Sequence, residues 1–180
     1  MTSSLLIVAA TELELCGHPG LVCGIGPVEA ASTTARALAL DPPHAVLHVG
    51  LAGGRGFTPG TLVIGQDAVY ADLAALIPVV SRSEPDPGLL ATVREAFPDA
   101  PVATIATSAA VGTADAEFPL EAMEGFAVLR ACARAGVPAV EVRAVSNEIG
   151  EGDRALWEID TALAALAVAL PRLHAALIRQ

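Results

Sequence analysis

A succession of short apolar runs, each cut off by glycine or a polar cluster and separated from the next by a stretch of helical spacing, most restricts how this chain folds. The runs occupy residues 4–10 (SLLIVAA), 20–24 (GLVCG), 44–50 (HAVLHVG), 61–70 (TLVIGQDAVY), 101–107 (PVATIAT) and 138–145 (PAVEVRAV). Apolar runs of this length, bounded by turn residues, are expected to be buried strands. Between them, Pro27 opens a helical stretch ending near Asp41-Pro42-Pro43, and residues 85–97 and 125–135 follow, the latter closed by Gly136. Residues 153–170 form a last helix stopped by Pro171. This alternation predicts one α/β domain over residues 1–180, three layers deep, around a central mostly parallel, mixed sheet.

Composition agrees. Hydrophobic residues make up 53% of the chain and aromatic residues only 3%, so the core must be built from Ala, Leu, Val and Ile, which suits strands covered by helices on both faces. The formal charge of -10, from 20 acidic and 10 basic residues, would repel a nucleic-acid backbone or an anionic membrane. Cys16, Cys23 and Cys132 are odd in number and lack CxxC spacing, which points to neither a disulfide framework nor a zinc site. No histidine pair has metal-ligand spacing, so no metal or other cofactor is expected. Those cysteines make a reducing cytoplasm the expected compartment, and the first residues, MTSSLLIVAATELEL, lack a basic n-region and meet acidic side chains too soon for a signal peptide. The apolar stretch at 162–170 falls short of the roughly 18 residues needed to span a bilayer and reads as a buried helix.

In an open α/β sheet, ligands bind beyond the carboxyl ends of the strands, so the residues just after each run are the ones to inspect. The first run delivers Thr11-Glu12-Leu13-Glu14, the third Gly50-Leu51-Ala52-Gly53-Gly54, and the last Ser146-Asn147-Glu148. Residues 121–125 (EAMEG) add Glu124 just before a helix. Each has an ordinary structural explanation: helix-start carboxylates for Glu12, Glu14 and Glu124, a tight turn for the glycines, a loop residue for Asn147. The functional alternative is a carboxylate-lined cleft in which the glycine backbone lies close to a sugar or base. Gly24-Ile25-Gly26 lacks the third glycine of a dinucleotide fingerprint, and neither Ser108 nor Ser146 sits in a nucleophile elbow.

The ordered segments LLIVAATELEL, CGIGPVEAA, HVGLAGG, EAMEG and VRAVSNEIG, extended by GDRALWEI, resemble the nucleoside phosphorylase and nucleosidase superfamily, and within it the futalosine hydrolases of menaquinone biosynthesis. The likeness spans nearly the whole chain except residues 72–121, a segment that looks shorter than in relatives and keeps only IATSAAVGTADA. It implies a nucleoside phosphorylase-like fold and a purine nucleoside substrate. It also implies roles: Glu14 activates the attacking water, Glu124 grips the ribose hydroxyls with Met123 beneath the sugar, and Leu51, Ala52 and Gly53 line the substrate. Asn147 stands where adenine-releasing nucleosidases have Asp. Its amide donates to N7 or to a 6-carbonyl, which implies a 6-oxopurine such as hypoxanthine. Tyr70 and Asp72 are candidate wall residues, and Phe118 is the one obvious aromatic of the 72–121 segment.

Such an arrangement suits N-glycoside cleavage, because carboxylates stabilise an oxocarbenium-like ribosyl cation while a general base activates water. A phosphorylase would need a cationic cradle, yet residues 11–15 contain no arginine and Arg55 is the sole cation near the glycines, so water is the expected nucleophile. Other readings are a nucleosidase for methylthioadenosine or aminodeoxyfutalosine, and a nucleoside-binding protein without turnover. Intact Glu14 and Glu124 argue against the last. The resemblance also implies a homo-oligomer.

Overall fold

A computed structural model describes residues 4–110 and 118–179. Eight strands, β1 (Leu5–Ala9), β2 (Leu21–Val22), β3 (Ala45–Gly54), β4 (Leu62–Tyr70), β5 (Arg82–Ser83), β6 (Val102–Thr107), β7 (Leu120–Ala122) and β8 (Ala139–Asn147), join four helices, α1 (Pro27–Leu40), α2 (Pro87–Ala96), α3 (Gly125–Ala135) and α4 (Ile159–Leu177). The sheet runs β2-β1-β3-β7-β6-β4-β5, with β8 paired to both β3 and β4. β8 lies parallel to β3 and antiparallel to β4, so strands β3, β7, β6, β4 and β8 close a ring within a mixed sheet. The expected α/β layers are present, but the sheet curls onto itself rather than staying open.

Local chemistry sets the helix ends. Pro27 occupies the first turn of α1 behind Gly26, whose φ of 91° is open to glycine at little cost. Asp86 caps α2 by accepting from Gly88 N at 2.9 Å and Leu89 N at 3.0 Å. Gly136, at φ 69°, ends α3 in the left-handed conformation. Helices α1 and α3 cover one sheet face, where Ala30, Leu38, Val128 and Cys132 pack on Val8 and Val46. Helices α2 and α4 cover the other, where Leu89, Val93, Leu166, Leu170 and Leu173 meet Ile7, Leu47 and Val142.

Four details depart from the sequence reading. The Gly50–Gly54 stretch is not a turn: it continues β3, with a register shift between Ala52 and Gly53. Ser146 and Asn147 likewise belong to β8, because their backbone pairs with the far end of β3. Two short strands, β5 and β7, went unanticipated, since two or three residues carry no periodicity. Pro171 does not stop the last helix. It is exposed, as is Ala167, whose carbonyl it deprives of the usual helical donor, while Leu173 and Leu177 beyond it are buried and hold the helix on course.

Helix α4 is shifted along the chain from the expected 153–170: it begins at Ile159 and runs to Leu177, and at 19 residues it could by length and composition alone cross a membrane. Its place in the fold is instead that of a one-sided core helix, with Ala162, Leu166, Ala169, Leu170, Leu173 and Leu177 buried and Val168 82% exposed. Leu166→Ala is therefore expected to lower the unfolding free energy by about 2–5 kcal/mol in a urea titration. Val168→Ala should leave it within about 0.5 kcal/mol.

Candidate active site

The site grows from a polar stripe inside the apolar sheet. Side chains alternate along a strand, so Glu141, Arg143 and Val145 share one face of β8, and His48, Gly50 and Ala52 share the matching face of β3, up to the register shift that precedes Asn147. Register sets His48 beside Glu141 and Gly50 beside Arg143. Arg143, His48 and Glu141 are all fully buried. Arg143 Nε donates to Glu141 Oε1 at 2.7 Å, and its Nη2 faces His48 Nε2. On the other side of its ring, His48 Nδ1 lies 3.0 Å from the Val8 carbonyl. A carbonyl only accepts and a guanidinium only donates, so the imidazole is neutral with its proton on Nδ1. Burial and the Arg143 charge hold the His48 pKa well below its usual 6.5.

The open end of that guanidinium meets Glu124 and faces Glu14, the two carboxylates expected from the sequence. Arg143 Nη1 is 3.6 Å from Glu124 Oε2 and 3.4 Å from the Leu51 carbonyl. A side chain at Gly50 would strike this same nitrogen, and its Cβ would lie 2.8 Å from Glu14 Oε1. Gly50 is needed because Arg143 and Glu14 converge over its α-carbon, a use of glycine distinct from turn formation. Glu14 is fixed at both oxygens: Oε1 accepts from Leu51 N at 2.9 Å, and Oε2 from Thr11 Oγ1 at 2.7 Å. Glu124 Oε1 accepts from Gly26 N at 3.0 Å, which ties the start of α3 to the start of α1. Burial raises the Glu124 pKa, opposed by the Arg143 charge and the Gly26 N–H.

These contacts replace the ordinary structural explanations. Residues 12–17 form turns rather than a helix start, and Glu12 is exposed while Glu14 is buried. Glu124 stands at the N-cap of α3 but makes no capping hydrogen bond there. Met123 is half-buried beside it, and Leu51, Ala52 and Gly53 continue β3 away from Gly50.

Asn147 closes β8, beyond that register shift. It pairs with Gly53, whose Cβ would come 3.1 Å from Asn147 Nδ2. From Gly50 to Gly53 an extended strand advances about 10 Å. Ser146 Oγ donates to Asn147 Oδ1 at 2.8 Å, and Asn147 Nδ2 donates to the Glu148 carbonyl at 3.0 Å. The amide is thus oriented, with one of its two N–H groups still available to a ligand.

Other candidates sit elsewhere or serve the fold. Tyr70 stacks on Phe126 with ring centroids 5.4 Å apart, and Asp72 accepts from Ala109 N. Phe118 is half-buried, and residues 111–116 of the IATSAAVGTADA stretch lie outside the described residues. Arg55 is exposed. Among the described residues, no three or more His, Cys, Asp and Glu side chains gather where a metal ion could be held. The sequence reading missed Arg143, its partner Glu141, and His48. The available signal was the pair of opposite charges two residues apart inside PAVEVRAV, a strand otherwise expected to be wholly apolar.

Residues 15–179 match the Phosphorylase superfamily. The chain is 39% identical over 183 residues to a futalosine hydrolase of Streptomyces coelicolor, with 85% of this chain and 77% of that protein covered. Against a futalosine hydrolase of Thermus thermophilus it is 34% identical, covering 91% and 84%. A 5'-methylthioadenosine/S-adenosylhomocysteine nucleosidase of Chromohalobacter salexigens is 30% identical, covering 73% and 67%. Among solved structures, the native futalosine hydrolase of Helicobacter pylori superimposes with a TM-score of 0.85 at 18% identity, over 97% and 98% of the two chains. A nucleosidase of Neisseria meningitidis in complex with methylthio-immucillin-A gives 0.82 at 21% identity, over 96% and 98%. At these identities the solved structures share the fold.

The neutral state of His48 makes stability depend on pH. The unfolded chain takes up a proton as pH falls through 6.5, and the folded chain refuses it. Stability from this residue is present above that pH and is lost below it. The Tm of His48→Asn is therefore expected to fall less steeply than that of the wild type as pH drops below 6.5, in paired thermal melts.

Proposed function

The chain belongs to the phosphorylase superfamily, and on that premise we propose that it is an N-glycosidase that hydrolyses futalosine to hypoxanthine and dehypoxanthine futalosine. The observation that carries this reading is the convergence of Glu14 and Arg143 over Gly50, with Glu124 on Arg143 Nη1 and the oriented Asn147 amide beside Gly53. Ribose seats on Glu124 above Met123. Glu14 takes a proton from water as the oxygen bonds to the anomeric carbon and the bond to the purine nitrogen breaks. Carboxylates on this side stabilise the positive charge that develops on the sugar. The Asn147 N–H donates to N7 or to the 6-oxo group and stabilises charge on the departing base.

Water is favoured over phosphate by the state of Arg143. It is the cation at the sugar end, and its charge is already engaged by Glu141 and Glu124 rather than offered to an anion. Arg55, the cation considered from sequence, is exposed to solvent instead. A methylthioadenosine nucleosidase is the second reading, favoured by the relative from Chromohalobacter salexigens. The residue separating the two is Asn147, because a pocket built to donate leaves an unpaired group against the wrong exocyclic substituent, which can discriminate by on the order of 10⁴-fold.

The partners that fit are a small-molecule purine nucleoside and further copies of this chain. Leu76, Ile77, Val79 and Val80 form an exposed apolar strip that association would bury. No cofactor enters the proposed reaction. The charge of -10 disfavours nucleic acid and anionic membrane, in keeping with a cytoplasmic enzyme.

Chromatography of the reaction mixture tests the proposal. Hypoxanthine should appear from futalosine at the same rate with and without phosphate, and phosphate dependence would overturn hydrolysis. Glu14→Gln should lower kcat by roughly 10²–10⁴-fold through loss of the general base. Asn147→Asp should shift the ratio of kcat/KM values away from futalosine and towards methylthioadenosine, and an unchanged ratio would remove Asn147 from substrate choice.

A further inference from the structure

Glu141 is a charged side chain sealed beneath the site, and the proposed reaction does not use it directly. It is fully buried, one oxygen is held by Arg143 Nε at 2.7 Å, and the other has no hydrogen-bond partner. A carboxylate in this state is costly to keep unless its partner needs it. Space for it has been cleared: a Cβ on Gly125, the residue after Glu124, would lie 2.6 Å from Glu141 Oε2 and closer still to Oε1. Alanine favours helix formation over glycine by about 1 kcal/mol, yet the first residue of α3 is glycine.

We propose that Glu141 is a positioning residue for the glycosidic reaction: its ion pair to Nε, opposite His48 on Nη2, aims Arg143 Nη1 at the gap between Glu124 and Glu14. Glu141 and Gly125 then form one unit, a carboxylate and the vacancy it fills. The inference rests on the proposed roles of Glu14 and Glu124. The titratable and charged groups that face Arg143 are Glu14 after β1, Cys23 after β2, His48 on β3, Glu124 at the start of α3 and Glu141 on its own strand. With Glu141 neutralised, the guanidinium charge falls on Glu124, which then ionises at lower pH.

The test measures pH profiles of futalosine hydrolysis for the wild type, Glu141→Gln, Gly125→Ala, Glu141→Ala and the Glu141→Ala/Gly125→Ala double variant. It also records the arginine Nε–H resonances of the same proteins by NMR. Glu141→Gln should lower kcat by roughly 10²-fold, the scale of ångström misplacement, and move the acid limb of kcat/KM to lower pH. General loosening of the fold would not shift that limb. Gly125→Ala should damage the wild type but add nothing to Glu141→Ala, and this cycle decides the matter if Glu141→Gln does not fold. An unchanged rate and acid limb in Glu141→Gln, or equal damage by Gly125→Ala in both backgrounds, would overturn the proposal. If the wild type releases no base from futalosine, the functional reading fails by itself. The NMR readout then decides: a buried, slowly exchanging Arg143 Nε–H displaced in both single variants supports positioning by Glu141, and an unmoved one refutes it.

Discussion

One buried guanidinium organises this protein. Removing a charge from water costs several kcal/mol unless ion pairs and hydrogen bonds replace the lost hydration, and Arg143 is fully enclosed. Its surroundings therefore follow as necessities. Glu141 must be ionised on Nε, His48 must stay neutral to accept from Nη2, and Glu124 must come within reach of Nη1. Two glycines, Gly50 and Gly125, must lack side chains so that the arginine and its carboxylate fit. β8 must lie between β3 and β4, since only there are its alternating residues sealed on both faces.

The consequence for function is that the end of β3 carries two chemically distinct settings. At Gly50 the protein presents carboxylates balanced by a cation that is itself occupied, a setting that favours developing positive charge and a water nucleophile. At Gly53 it presents a neutral amide locked by Ser146 and the Glu148 carbonyl. The glycine-rich stretch of β3 connects the proposed sugar and base subsites. In the proposed reaction, glycosidic cleavage is assigned to the first setting and base selection to the second.

Much of this was legible in the residues. The apolar runs located the long strands, because burial on both faces leaves continuous hydrophobic stretches. Caps and prolines located α1, α2 and α3. The loaded strand ends led to Glu14, Glu124 and Asn147, all buried here. What escaped was whatever depends on contacts between distant segments. The glycines of β3 looked like a turn because their purpose lies in the Arg143 side chain, far from Gly50 along the chain. His48 looked like a strand residue because its partner is on β8. Pro171 looked like a stop because buried leucines beyond it were invisible to a local rule. The ring closure through β8 has no local signature at all.

The central proposal is that the oriented amide of Asn147 selects a 6-oxopurine. A competition assay reads it most directly: futalosine and methylthioadenosine supplied together to the wild-type enzyme, with the released bases quantified over the initial phase. Hypoxanthine in large excess over adenine is the predicted result. Adenine released as fast as hypoxanthine, or faster, would contradict it.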